Sequence, residues 1–276
     1  MNAFRRGLIL LALLTPLGLN PLGLAPLGVA PSAAAPNAAA SEAADVVTVT
    51  IDGAPQNILF VAPRTPPVAA VVMFSGGDGR LAINTYGSIG LPRNFLIRTQ
   101  AKWLARGFLF VAVDAAEGRI GTKGDRVGPA NQRAIAEIVR AVRQRTSAPI
   151  WLVGTSSGAP AALAGAASLP AGTIRGVIIS SPVSVSGSHD SVFDVPLARV
   201  SVPVLIQVHR YDGCDLSPPA NAPRIKAALT SAKVEVQEFT GGDVPRSQAC
   251  EARAQHGFIG IEDQVIGAAA DWIVSH

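Results

Sequence analysis

Charge is scarce in this chain. Of its 276 residues only 15% are Asp, Glu, Lys or Arg, while 49% are apolar. That balance buries enough apolar surface to fold, which excludes disorder for the chain as a whole. Cysteine is scarcer still. Two residues, Cys214 and Cys250, are too few for a disulfide-built scaffold or a cysteine-rich zinc site. No Lys/Arg cluster is dense enough to make a nucleic-acid face. The formal charge of +4 is a small excess of 23 Lys and Arg over 19 Asp and Glu. Phosphate-binding signatures are missing too: no Gly-Lys-Ser/Thr loop occurs, and no Gly-x-Gly-x-x-Gly opens a helix.

Acids are absent from residues 1–40. Arg5 and Arg6 form a positive start, residues 7–19 are almost wholly apolar, and Pro16, Pro21, Pro26 and Pro31 break any helix. The apolar run falls short of the about 20 residues a bilayer span needs. The pattern predicts a secretory signal peptide with a low-complexity leader, carrying small-residue cleavage options at 33–35 and 38–40. Residues 41–276 then form one domain, exported to the periplasm or beyond, without stable membrane insertion after cleavage. A retained leader acting as a membrane anchor is the competing reading. Export would put both cysteines in an oxidising compartment, where a disulfide persists.

The body alternates strand and helix. Runs at 46–51 and 58–61 flank an Asp52-Gly53 turn signal and predict an antiparallel start. Near-continuous apolar runs follow at 68–74, 108–113, 150–153, 174–179 and 202–208, with a last strand at 233–239. Runs without alternation suit strands buried on both faces, as in a parallel sheet. Helices are expected from the Asn94 cap through Ala105, from Pro129 onward, and at 157–168, 220–231 and 261–275. This order predicts an α/β fold, a mostly parallel sheet with helices on both faces.

The chemistry-bearing motif is Gly154-Thr155-Ser156-Ser157-Gly158, a Gly-x-Ser-x-Gly between a buried strand and a small-residue helix. A nucleophile elbow needs that setting, because a strained turn tolerates only small neighbours. Ser156 is the candidate nucleophile and Ser157, off the motif centre, the fallback. A hydroxyl needs a base. His256, in a loop before the last helix, is the best placed of the four histidines. His209 closes a strand and suits a structural role, His189 sits in a Ser-rich loop, and His276 is terminal. Asp212 follows the strand at 202–208 and is the candidate acid, with Asp215 the nearest rival and Asp190, Asp194 and Asp243 weaker ones. Ser75-Gly76-Gly77-Asp78-Gly79 ends another strand. Its glycines let N–H groups approach a substrate oxygen, so one candidate oxyanion donor is the N–H of Ser157 and the other that of Gly76, Gly77 or Asp78, with Gly77 preferred. Cys214 and Cys250 lie two residues after Asp212 and six before His256. A bridge between them would hold those loops in register; two free thiols or an accidental pair are the alternatives.

Together, the Ser75–Gly79 run, the Gly154–Gly158 motif, the loop of Asp212, Cys214 and Pro218, and Cys250-Glu251-Ala252-Arg253 followed by His256-Gly257-Phe258 resemble the α/β-hydrolases. More narrowly, the chain is similar to exported bacterial α/β-hydrolases related to dienelactone hydrolases. The order Ser156, Asp212, His256 is that superfamily's order. The resemblance spans roughly residues 55–275. It implies an eight-stranded sheet, no metal or organic cofactor, and acyl transfer from a carboxylic ester to water through an acyl-enzyme. Dienelactone hydrolases proper use Cys at the elbow, so Ser156 leaves lactone cleavage without support. Many lipases carry His-Gly-Gly-Gly where Ser75 stands. Peptidase, thioesterase or acyltransferase chemistry on the same triad, or a non-catalytic binding or envelope protein, are the alternatives. The short 182–199 segment suits a rim rather than a lid, and Leu81, Ile83, Tyr86, Ile89 and Leu91 are expected to line a site for small or medium apolar acyl groups.

Overall fold

The computed structural model describes residues 44–115 and 123–276. The expected leader and its cleavage sites lie outside the described residues.

The first two strands, β1 (Ala44–Ile51) and β2 (Ala54–Val61), pair antiparallel around the Asp52-Gly53 turn. Six more follow: β3 (Ala69–Phe74), β4 (Phe108–Val113), β5 (Ile150–Thr155), β6 (Gly176–Ser180), β7 (Val204–His209) and β8 (Val234–Phe239). They form one sheet in the order β1-β2-β4-β3-β5-β6-β7-β8. Both pairings of β2 are antiparallel, and from β4 through β8 every pairing is parallel.

Side chains alternate between two cores, which is why the central strands read as unbroken apolar runs. Val72, Val111, Leu152, Val177 and Ile206 point to one face, where α3 (Pro129–Arg143), α4 (Gly158–Ser168) and α5 (Ala222–Ala228) pack. Val71, Phe110, Trp151, Ile178 and Leu205 point to the other, under α1 (Phe95–Arg98), α2 (Gln100–Leu104) and α6 (Glu262–Val274). Each fully buried aliphatic side chain contributes about 1.5–3 kcal/mol relative to exposure.

Two helices depart from expectation. The helix expected over 94–105 is two short ones, because the buried Thr99 hydroxyl turns back to the carbonyls of Phe95 at 3.0 Å and Leu96 at 2.9 Å. Asn94 does cap α1, accepting the Leu96 N–H at 3.0 Å. The helix expected over 220–231 is helical as α5 only from Ala222 to Ala228, since Leu229 leaves helical geometry at ψ 58°.

The connections turn outward on either side of β3 and β5: β4 lies beyond β3, and β6 beyond β5. In an open parallel sheet such a switch point leaves a crevice at the carboxyl ends of the strands. Phe74 and Gly154, the last residue of β3 and the next-to-last of β5, lie side by side there.

Candidate active site

The elbow follows from local sterics. Ser156 sits between β5 and α4 in the left-handed region, at φ 54°. That strain persists because the surroundings over-determine it. The Ser156 N–H donates to the Ser180 carbonyl at 2.9 Å, and its own carbonyl accepts the N–H groups of Ala159 at 3.1 Å and Val183 at 3.2 Å. The flanking glycines are required by close approach. A Cβ on Gly158 would fall 2.0 Å from the Phe74 carbonyl oxygen, and one on Gly154 would fall 2.4 Å from the Gly158 carbonyl oxygen.

The glycine loop after β3 lies directly against the elbow. A Cβ on Gly76 would fall 2.9 Å from the Ser156 Cβ and 3.5 Å from its Oγ. The Ser157 hydroxyl donates to the Gly77 carbonyl at 2.5 Å, tying the two loops together. That bond gives Ser157 a holding task, whereas Ser156 lines the cavity. Ser157 is also the N-cap residue of α4, so its N–H lies at the positive end of that helix.

His256 and Asp212 are both buried and joined, His256 Nδ1 to Asp212 Oδ2, at 2.8 Å. A carboxylate oxygen accepts, so Nδ1 carries a proton, and in the neutral imidazole the lone pair is then on Nε2. The second carboxylate oxygen accepts the Cys214 N–H at 2.9 Å, which fixes the carboxylate. Nε2 is sealed from solvent and has no partner among the described residues, so no hydrogen bond joins it to the Ser156 hydroxyl. Catalytic hydrogen bonds of this kind commonly tighten only in the substrate complex.

The His256 loop is held by three ties. Cys214 and Cys250 form a disulfide, the paired arrangement of the two expected. Phe258, fully buried in the left-handed conformation, packs on Phe95 and Phe239 with ring centroids 5.1 Å and 5.9 Å away. Arg98 donates to the Gly257 carbonyl at 2.5 Å while pairing with Glu262 at 2.9 Å.

Ser156, His256, Gly76 and Gly77 line one cavity of about 780 Å³. Its apolar wall includes Leu81, Leu91 and Phe95, and its charged wall has Arg80, Arg93, Arg246 and Arg253 against Asp78 and Glu251. Burial pushes the Asp78 carboxyl up, but hydrogen bonds from the Arg80 backbone and guanidinium, with the charges of Arg80 and Arg126, outweigh it. The result lies below the ordinary carboxylate range.

Several expected residues lie elsewhere. Ile83 and Ile89 bridge to each other away from the cavity, and Tyr86 is 92% exposed, so of the five apolar loop residues only Leu81 and Leu91 line it. Residues 182–199 contribute nothing to the wall. His209 is satisfied structurally, with Nε2 against the Gly241 carbonyl at 3.0 Å and Nδ1 accepting the Tyr211 N–H at 3.1 Å. Among the rival acids, Asp215 is exposed, Asp190 binds loop N–H groups, and Asp194 and Asp243 pair with Lys123 and Arg246. Arg98 was not foreseen as a site-supporting residue. Neither was Asp114, whose carboxylate accepts the Leu81 and Ile83 N–H groups, each at 2.7 Å. No sequence signal marks such long-range bonds to backbone.

No family model matches the chain, and no curated protein matches it in sequence. Solved structures do match. A dienelactone hydrolase from Anabaena variabilis superposes with TM-score 0.61 at 15% identity, over 85% of this chain and 98% of that one. A soluble variant of the monoglyceride lipase of Saccharomyces cerevisiae, in complex with a substrate analogue, gives 0.62 at 12% identity, over 86% and 96%. A cold-adapted esterase from an Arctic intertidal metagenomic library gives 0.58 at 15%, over 84% and 93%. With its eight-stranded sheet, its strained serine turn after β5 and these likenesses, the chain has the α/β-hydrolase fold.

Proposed function

We propose that this protein is a serine hydrolase that cleaves carboxylic esters through an acyl-enzyme. Ser156 attacks the ester carbonyl while His256 Nε2 takes its proton. Asp212 holds the imidazole and stabilises the imidazolium. The N–H groups of Ser157 and of the Gly76-Gly77 loop bind the oxyanion. His256 then protonates the leaving alcohol, and a water repeats the sequence on the acyl-enzyme. The observation that carries this reading is the buried His256–Asp212 pair, whose Nε2, without a partner among the described residues, belongs to a residue lining the same cavity as Ser156.

The cavity suits a small or medium ester, with its acyl part against Leu81, Leu91 and Phe95. Peptidase, thioesterase and acyltransferase activities use the same parts, and amide, thioester and alcohol-acceptor substrates separate them. The decisive test pairs turnover of short p-nitrophenyl esters with fluorophosphonate labelling and peptide mapping. Labelling at Ser156, and loss of about 10⁴-fold or more in kcat for Ser156→Ala, support the proposal. Unchanged turnover in Ser156→Ala ends it, and an unlabelled Ser156 without turnover favours a binding protein on this fold.

Export is part of the same proposal. It rests on the leader sequence and on a disulfide between the acid and base loops, which persists in an oxidising compartment. N-terminal sequencing of the protein from its host decides it: a start near residue 34–41 supports export, and a retained Met1 supports anchoring.

A further inference from the structure

Behind the oxyanion loop, outside the substrate cavity, lies the guanidinium of Arg126. Its Nη2 donates to two carbonyls of that loop, Ser75 at 3.1 Å and Gly77 at 3.0 Å. A Cβ on Gly79 would fall 2.6 Å from the same nitrogen, so the loop is moulded onto the guanidinium. Arg126 is itself clamped. Its backbone N–H and that of Gly124 donate, each at 2.8 Å, to the two carboxylate oxygens of the buried Asp190. Its carbonyl accepts from the Asn131 side chain at 2.5 Å.

The carbonyl and N–H of a trans peptide point in opposite directions. Holding the Ser75 carbonyl therefore orients the Gly76 N–H, and holding the Gly77 carbonyl orients the Asp78 N–H. The peptide between them is fixed by the Gly79 N–H, which donates to the Gly76 carbonyl at 3.2 Å. Three successive peptide planes beside Ser156 are thus set, two of them by one side chain. A cation on a carbonyl also polarises that peptide and strengthens its N–H as a donor.

We propose that Arg126 is a positioning residue for the oxyanion hole, holding the Ser75-Gly76-Gly77 backbone from behind so that its N–H groups are aimed before substrate arrives. This role rests on the ester-hydrolase reading above. Keeping a cation there is unfavourable in itself. Burial lowers the Arg126 pKa to about 10 against the pull of Asp78, Asp125 and Asp190, and Nε is sealed without a partner among the described residues. A purely structural contact would be served as well by a neutral side chain, without that penalty.

The test compares wild type, Arg126→Met and Arg126→Lys in three readouts: kcat and KM on p-nitrophenyl butyrate, inhibition by an alkyl boronic acid that forms a tetrahedral adduct, and thermal melting. Arg126→Met is expected to lower kcat about 10- to 100-fold, with KM within about twofold and boronate affinity weakened alongside kcat. Arg126→Lys, a point charge without the planar fork, is expected to fall between wild type and Met. A purely structural role would move the melting temperature and leave kcat and boronate affinity together near wild type, which overturns the proposal. If Arg126→Met does not fold, Arg126→Lys decides. A drop in kcat of about fivefold or more at unchanged KM supports the role, and wild-type kcat overturns it. Failure of wild-type Ser156 to label with fluorophosphonate would remove the hydrolase reading and this inference together. Normal labelling with wild-type kinetics in the variants removes this inference alone.

Discussion

The two halves of the candidate site are held by different means. The nucleophile half, after β3 and β5, sits at the middle of the sheet; its Ser156 turn is fixed by backbone sterics, with the adjoining glycine loop held against it by Ser157 and Arg126. The acid–base half, after β7 and β8, hangs from the far edge, and nearly every residue from 240 to 251 is exposed. Its order comes from the disulfide, the Phe258 anchor and the Arg98 bond to the Gly257 carbonyl. A turn buried between central strands needs no cross-link, because any displacement runs into neighbouring backbone. A loop at the sheet edge has water beside it, and its order must come from specific ties.

Glycine substitutions should break this contrast most sharply. Gly158→Ala puts a methyl 2.0 Å from the Phe74 carbonyl oxygen. It is expected to cost more than about 3 kcal/mol and to abolish ester turnover, read by thermal melting and kcat. Gly213→Ala, on the acid loop, meets nothing nearer than the Ala249 Cβ at 3.6 Å and should stay within about 0.5 kcal/mol of wild type. Equal damage from the two would refute the contrast.

The covalent tie comes next. Replacing Cys214 and Cys250 together by Ser removes a bridge spanning 36 residues, worth about 4 kcal/mol in the chain-entropy model. If the tether also sets register, kcat falls well below the new melting temperature, where the fold is intact. A lowered melting point with full kcat would make the bridge a stabiliser only. Arg98→Met should be milder, about 1.5–3 kcal/mol for lost charge-assisted bonds. Glu262→Gln, which keeps the bond to the Gly257 carbonyl, should leave kcat unchanged.

The nucleophile half was also the more legible in the sequence. Apolar runs marked the central strands, and small residues around Ser156 marked the turn, because both properties are local. The order of strands in the sheet is not local and came only with the structure. On the edge half the types and spacing of Asp212, Cys214, Cys250 and His256 were visible, but what holds them was not. Arg98, Arg126 and Asp114 act on backbone groups far away in the chain, and a side chain bonded to a carbonyl leaves no partner residue type to search for. Thr99 interrupts a helix by bonding its own preceding turn, which helical periodicity does not register. Ile83 and Ile89 bridge to each other and Tyr86 stands in solvent; apolar character alone does not say which surface a residue meets.

The charged wall offers the gentlest test, since both halves contribute to it. Arg80 and Arg93 come from the segment after the oxyanion loop, Arg246 and Arg253 from the tethered base loop. Arg80 is already engaged by Asp78 at 2.7 Å. An ester carrying a free carboxylate on its acyl chain should meet net positive charge here and show a lower KM than its methylated counterpart. Contacts at exposed charges are worth about 0.2–1 kcal/mol each, so the expected difference is only about two- to fivefold. It should shrink as salt rises, because screening acts over about 10 Å at 0.1 M ionic strength. Arg93→Gln and Arg253→Gln then separate the halves. If the tethers hold the edge loop as firmly as sterics hold the centre, each variant loses a similar part of the preference. If the loop moves, Arg253→Gln loses less than Arg93→Gln, and equal KM values for the two esters in wild type would show that the arginines take no part in substrate choice.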